Sequence, residues 1–149
     1  HVPTSVVVVT GLNAQGTAFG ITIGSFASVS LDPPLVGFFP GVRSQSWAAI
    51  RESGRFCVNV LGSHQEEACW RFAKEGDDKF AGVEWLPSEG GSPVLPGSIA
   101  WIDCEIDSET VMGDHTCVVG RVTSLDHAEE VENAMVFFRG KVSSVKHGG

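Results

Sequence analysis

Residues 17–36 read TAFGITIGSFASVSLDPPLV, and this stretch decides the fold class. Phe19 to Ile23 is rich in β-branched and apolar residues, as is Val6 to Thr10 before it, and Gly11, Asn13 and Gly16 between them turn a chain at little steric cost. The pair predicts a β-hairpin. Its second strand opens into Gly24-Ser25-Phe26-Ala27-Ser28-Val29-Ser30, where small side chains let a planar ligand approach the backbone while hydroxyls and N–H groups bond its edge. Asp32-Pro33-Pro34 follows as an extended, stiff connector whose prolines donate nothing to a ladder, so the next strand is expected from Leu35.

Outward from this stretch, 18 glycines and 7 prolines cut the chain into short segments, the habit of a small β-barrel rather than a helical bundle. Ala100, Ile102, Cys104 and Ile106 alternate with Asp103, Glu105 and Asp107, which predicts one buried and one wet face of an antiparallel strand. Thr116 to Thr123 pairs with it across Met112-Gly113-Asp114-His115, and Val136 to Phe138 and Lys141 to Val145 are the last two predicted strands. One helix starts where Ser44 or Ser46 caps the free N–H groups ahead of Trp47 and Ile50. A second carries a capping-box pattern at Ser63 and Glu66, with Arg71 and Lys74 at its negative end, Gly76 to close it, and Ala68, Cys69 and Phe72 on its buried face. The region from Gly76 to Gly97 is loop-rich, with Val83 to Leu86 as a short strand. No repeat or linker divides residues 1–149, so one domain is expected.

A formal net charge of -8 with only 10 Lys and Arg disfavours nucleic acid and anionic membranes, which reward a basic stripe. No apolar run approaches the roughly 20 residues of a membrane span, and a cytoplasmic protein is expected. The chain opens on His1 rather than Met, so further terminal residues are expected. Cys57, Cys69, Cys104 and Cys117 form no Cys-x-x-Cys pair and are read as reduced core thiols. Cys117 and His115 would share a strand face with Cys104 across from them, but a fourth ligand is lacking and no metal site is assigned. There is no Gly-x-Gly-x-x-Gly after a strand and no Gly-x-Ser-x-Gly elbow, which excludes a Rossmann dinucleotide site and a hydrolase nucleophile of that type.

An ordered series of segments runs from GSFASVSLDPPLV through Ser44-Gln45-Ser46-Trp47, Arg55 to Leu61, Asp78-Lys79-Phe80-Ala81-Gly82 and Gly91-Ser92-Pro93 to Gly113-Asp114-His115 and Phe137-Phe138-Arg139-Gly140. This series resembles the flavin reductase-like family, the short-chain reductases that supply reduced flavin to two-component monooxygenases, phenol-hydroxylating ones among them. The resemblance implies a mainly β fold, the FMN-binding split barrel, a six- or seven-stranded antiparallel Greek-key barrel with short helices, in a homodimer whose flavin lies near the subunit interface. It implies NAD(P)H-dependent reduction of FMN or FAD, with NADH or NADPH as hydride donor and reduced flavin diffusing to a partner monooxygenase.

By the same resemblance Thr22, Ile23, Gly24, Ser25, Phe26, Ala27, Val29 and Ser30 wrap the isoalloxazine, with Gly24 standing where many relatives carry a polar side chain. Arg43, Ser44, Gln45 and Ser46 take the flavin phosphate, and Asn59, Lys79 and Phe80 complete the flavin set. Gly113, Asp114 and His115 reach the nicotinamide side, Asp114 and His115 being the catalytic pair, and Phe137, Phe138, Arg139 and Gly140 form the other half of that site. Two other readings stay open at this level: a flavin-carrying module that never meets NADH, and a split-barrel oxidase acting on its own small substrate.

Overall fold

The computed structural model describes residues 2–76, 78–130 and 133–146. In chain order its elements are β1 (Thr4–Ser5), β2 (Val7–Leu12), β3 (Ala18–Ile23), β4 (Ala27–Leu31), β5 (Pro34–Phe38), α1 (Gln45–Ile50), β6 (Arg55–Val60), α2 (Glu66–Ala73), β7 (Leu86–Pro87), β8 (Pro93–Val94), β9 (Ala100–Met112), β10 (His115–His127), β11 (Asn133–Phe138) and β12 (Lys141–Lys146). Seven strands form one antiparallel sheet in the order β3-β2-β6-β9-β10-β5-β4, while β1, β11 and β12 form a second sheet and β7 and β8 a small third. Strands β3 and β4 are opposite edges, yet only Gly24, Ser25 and Phe26 join them. Four Cα steps reach about 14 Å at most, whereas six strand spacings in a flat sheet need about 29 Å. The sheet is therefore curled, and no ladder closes it between β3 and β4 among the described residues. This is the mainly β split barrel expected from the sequence.

The run Val6 to Thr10 is buried throughout because both faces of β2 are covered. Val7 and Val9 point into a cluster with Phe38, Trp47, Ile50, Phe56 and Val118, while Val6 and Val8 join a second cluster with Phe72 of α2 and Met135 of β11. The two-residue period of a strand sends alternate valines to the two clusters. Phe38, Trp47 and Phe56 pack edge-to-face at centroid distances of 5.2 to 5.9 Å, the arrangement that aromatic quadrupoles favour.

Several local expectations change. Gly11 lies inside β2 opposite Phe19, and the turn is Asn13 to Gly16, where the Asn13 carboxamide oxygen accepts from Gln15 N and Thr17 N. Asp32 and Pro33 are not an extended connector; they form the tight turn of a β4–β5 hairpin in which Leu31 faces Pro34. The short strand begins at Leu86 rather than ending there, and Val83 and Trp85 pack on the second core cluster instead. Helix α2 is entered through a 3-10 turn at Ser63–Gln65, and Gln65 Oε1 accepts from Gly62 N at 2.9 Å, so the cap is not built on Ser63 and Glu66. Cys104 faces Val122 and Cys117 faces Thr110, so these thiols are not opposite one another. Among the described residues no helix is long and apolar enough to cross a membrane.

Two buried polar residues depart from simple alternation for the same reason: a loop folds over the sheet's outer face. Asp103 is buried because Ser88 Oγ and Gly90 N donate to its two carboxylate oxygens at 2.8 and 2.6 Å. Asn59, with no exposed surface, donates through Nδ2 to Val8 O and Thr10 Oγ1, both at 3.1 Å, and accepts from Leu95 N at 2.9 Å. Asn59→Ala strands the Leu95 N–H and is expected to cost about 2 to 3 kcal/mol in urea denaturation. At Gly120 a Cβ would overlap the Phe56 ring and stand 3.1 Å from Cys104 Cβ. Gly120→Ala overpacks the core and is expected to lower stability by about 1 to 3 kcal/mol in the same measurement.

Candidate active site

Among the described residues strand β3 is an edge, so alternate backbone groups on its outer side have no ladder partner. Beside that edge lies a cleft of about 510 Å³ lined by Ile21, Thr22, Ile23, Gly24, Ser25, Phe39, Pro40, Gly41 and His115. One wall is the seam strand and its continuation, and the other is the segment after β5 together with the tip of the β9–β10 hairpin. That tip is docked firmly: Thr116 N donates to Pro40 O at 2.9 Å and Val42 N to Asp114 O at 3.0 Å, with a further bridge between Gly41 and His115. Glycine at 113 permits the backbone φ of 64° that turns the hairpin there.

His115 is half exposed, and its Nδ1 lies 2.7 Å from Asp114 Oδ1. The imidazole beside Asp114 holds that carboxyl below its usual range. An ionised Asp114 accepts the Nδ1 proton, and a neutral ring then presents Nε2 as an acceptor. The hydroxyls of the seam are largely committed: Thr22 Oγ1 donates to Cys69 O at 2.6 Å and so ties α2 to β3, while Ser25 Oγ accepts from Phe39 N at 3.0 Å and keeps its own proton to give. The resemblance implies Ser25 as a flavin contact; in the structure its hydroxyl also spans the two walls.

Ile21 is shared with a second, smaller depression lined by Ser44, Gln45 and Ser46 and by Lys74, Glu75, Gly76 and Lys79 from the end of α2 and the loop beyond. Ser44 caps α1, its Oγ accepting from Trp47 N at 3.1 Å. Lys79 Nζ donates to Phe72 O at 3.2 Å, and burial pushes its pKa down while Glu75 opposes that shift.

Of the residues singled out in the sequence, Thr22 to Ser25 and His115 meet in one cleft, and Ser44 to Ser46 and Lys79 meet in the depression beside it. Phe26 packs on the barrel core, while Ala27, Val29 and Ser30 continue as β4 outside the cleft lining, Val29 covering Gly37. Arg43 is exposed and lines neither depression. Phe80 stacks in the second core cluster between Phe72 and Trp85. Asn59 lines neither depression, and its enclosed amide bonds Val8, Thr10 and Leu95. Phe137 faces Thr4, whose Oγ1 lies 3.2 Å from where a Gly24 Cβ would stand, so the Phe138-Arg139-Gly140 turn follows a strand that passes behind the Gly24 end of the cleft without lining it. Sequence reasoning missed Ile21, Phe39, Pro40 and Gly41. The signal was the Phe-Pro-Gly run that stops β5, which was legible as a turn but not as a wall.

With this geometry in view, a family model described as flavin reductase like domain matches residues 1–146. The chain is 46% identical over 138 residues to a flavin reductase from Pseudomonas putida, covering 93% of this chain and 81% of that protein. It is also 46% identical over 143 residues to the reductase subunit HsaB of a flavin-dependent monooxygenase from Rhodococcus jostii (strain RHA1), covering 96% of this chain and 72% of that one. Among solved structures, nitrilotriacetate monooxygenase component B from Mycobacterium thermoresistibile superposes with a TM-score of 0.92 at 42% identity, over 97% of this chain and 81% of that one. By these matches along nearly its whole length, the chain belongs to the flavin reductase like domain family and is an oxidoreductase of the flavin reductase kind.

Proposed function

We propose that residues 1–149 act as one catalytic domain that reduces FMN or FAD with NADH or NADPH and releases the reduced flavin to a partner monooxygenase. The observation that carries this reading is the cleft in which the free edge of β3 faces His115. A flat heteroaromatic ligand suits that edge: backbone groups of Ile21 to Gly24 and the Ser25 hydroxyl can bond its polar rim. The chemistry supplied by the bound partners is hydride transfer from nicotinamide C4 to flavin N5. For such a transfer the protein has to bind and orient, and no nucleophile is needed.

In this reading His115 and Asp114 act together. Asp114 fixes the imidazole through Nδ1, and Nε2 accepts from the carboxamide N–H of a nicotinamide laid against the ring. Arg139, exposed at the tip of the β11–β12 hairpin with Phe138 and Gly140, is assigned the nucleotide phosphates at the Gly24 end. The flavin phosphate is assigned to Ser44, Gln45, Ser46, Lys74 and Lys79. Helix α1 has only six residues and Ser44 already caps it, so the two lysines supply the charge in place of Arg43. Exposed Leu31, Val111 and Met112 support a homodimer, and the negative charge disfavours nucleic-acid and anionic-membrane partners for the cytoplasmic protein proposed.

Titration of flavin fluorescence with the purified protein is expected to show reversible binding with a Kd on the order of micromolar. Absence of binding by every flavin far above that range ends the proposal. His115→Ala is expected to lower kcat/KM for NADH about tenfold or more, equivalent to roughly 1.4 kcal/mol of transition-state stabilisation, with flavin Kd within about twofold of the parent. Unchanged NADH kinetics in that variant would remove His115 from the nicotinamide site.

A further inference from the structure

The depression that holds Ser44 to Ser46 does not end at Lys79. It shares Lys74, Glu75, Gly76 and Lys79 with a larger cavity of about 520 Å³ at the end of α2, whose lining adds Glu67, Trp70, Arg71 and Asp78. Ile21 stands between that depression and the cleft that holds His115. The volume lies in the range of small-ligand pockets, and the flavin ring site alone does not account for it.

The chemistry changes along the groove. Lys74 and Lys79 stand at the junction, where positive charge suits phosphates. Beyond them Trp70 is 42% exposed, an unusual cost for an indole, and it is held rather than loose: Nε1 donates to Glu66 Oε1 at 3.4 Å and the ring packs edge-on against Phe137 at 6.4 Å. A supported, exposed indole is a stacking platform for a heteroaromatic base. Glu67 is paired with Arg71 at 3.6 Å, while Glu75 and Asp78 offer acceptors for ribose hydroxyls and an exocyclic amine. Order and chemistry together match a ligand that is phosphate in the middle and adenosine at the far end.

We infer that this cavity takes the adenosine end of FAD, so that FAD rather than FMN is the flavin the chain holds best. The inference rests on the flavin-cleft reading above. Titrations with riboflavin, FMN and FAD test it on the unmodified protein, and FAD is expected to bind about tenfold tighter than FMN. AMP as competitor is expected to displace FAD but not riboflavin. Trp70→Ala is expected to weaken FAD about tenfold while riboflavin stays within about twofold, and Trp70→Phe, which keeps a stacking ring, is expected to restore FAD to within about threefold. Thermal melts of both variants separate this from a loss of fold. Equal affinities for FMN and FAD, or a Trp70→Ala effect equal on FAD and riboflavin in a folded protein, would overturn the adenosine cavity while leaving the flavin cleft intact. A raised KM for NADH in Trp70→Ala with FAD affinity unchanged would give the cavity to the nicotinamide nucleotide and overturn the FAD assignment. Failure of all three flavins to bind would instead bring down the cleft reading on which the inference stands.

Discussion

Three residues join the two edge strands of the main sheet, and the site follows from that short tether. Strands β3 and β4 cannot lie six spacings apart in a flat sheet, so the sheet curls until its edges approach, and it stops short of pairing them. An ordinary barrel would satisfy those edge groups by closing the ladder. Here α1 and α2 pack on β3 and the segment Phe39 to Gly41 lies across from it, which covers the seam in part and leaves the Ile21 to Ser25 backbone facing a cleft. The same departure from closure that costs ladder hydrogen bonds leaves backbone donors and acceptors facing the cleft.

The seam is stiffened by side chains whose polar groups are spent on structure. Thr22 binds the carbonyl of Cys69 and so sets the distance of α2 from β3, Ser25 receives the Phe39 N–H across the cleft, and the hairpin tip is bonded to Pro40 and Val42. Each such bond is worth only about 1 kcal/mol net, yet together they fix both walls before any ligand arrives. Preorganisation of this kind is what the proposed hydride transfer would demand, since such a reaction depends on distance and angle more than on acid–base groups. The exposed Asp114–His115 hydrogen bond adds little stability, because both groups face water.

Much of this was legible in the chain itself. The valine-rich start, the alternation in Ala100 to Ile106 and the Ser44 cap are local signals with local causes, and the corresponding elements form where they were expected. The conflicts arise where a distant segment intervenes. Asp103 sits on the wet side of its alternation and is buried because Ser88 to Gly91 folds over it. Asn59 resembled a ligand group in a strand, and its amide is consumed by Val8, Thr10 and Leu95, residues remote in sequence. Neither outcome has a signal within ten residues of the side chain concerned.

Hydrophobic period and turn residues, which are properties of neighbours along the chain, determined by themselves that the chain is β-rich, and its ordered motifs carried the resemblance to flavin reductases that the family match bears out. The tertiary structure alone decided which of those motifs meet. Curling of the sheet brings Ile21 to Ser25 opposite His115, about ninety residues away, and carries the Phe137 strand behind that cleft instead of into it. It also joins the end of α2 to the Ser44 to Ser46 turn and so extends the groove to Trp70. The physical reason is that pattern sets what each segment buries, whereas the reach of a three-residue tether and the volume of the core side chains set which segments share a wall.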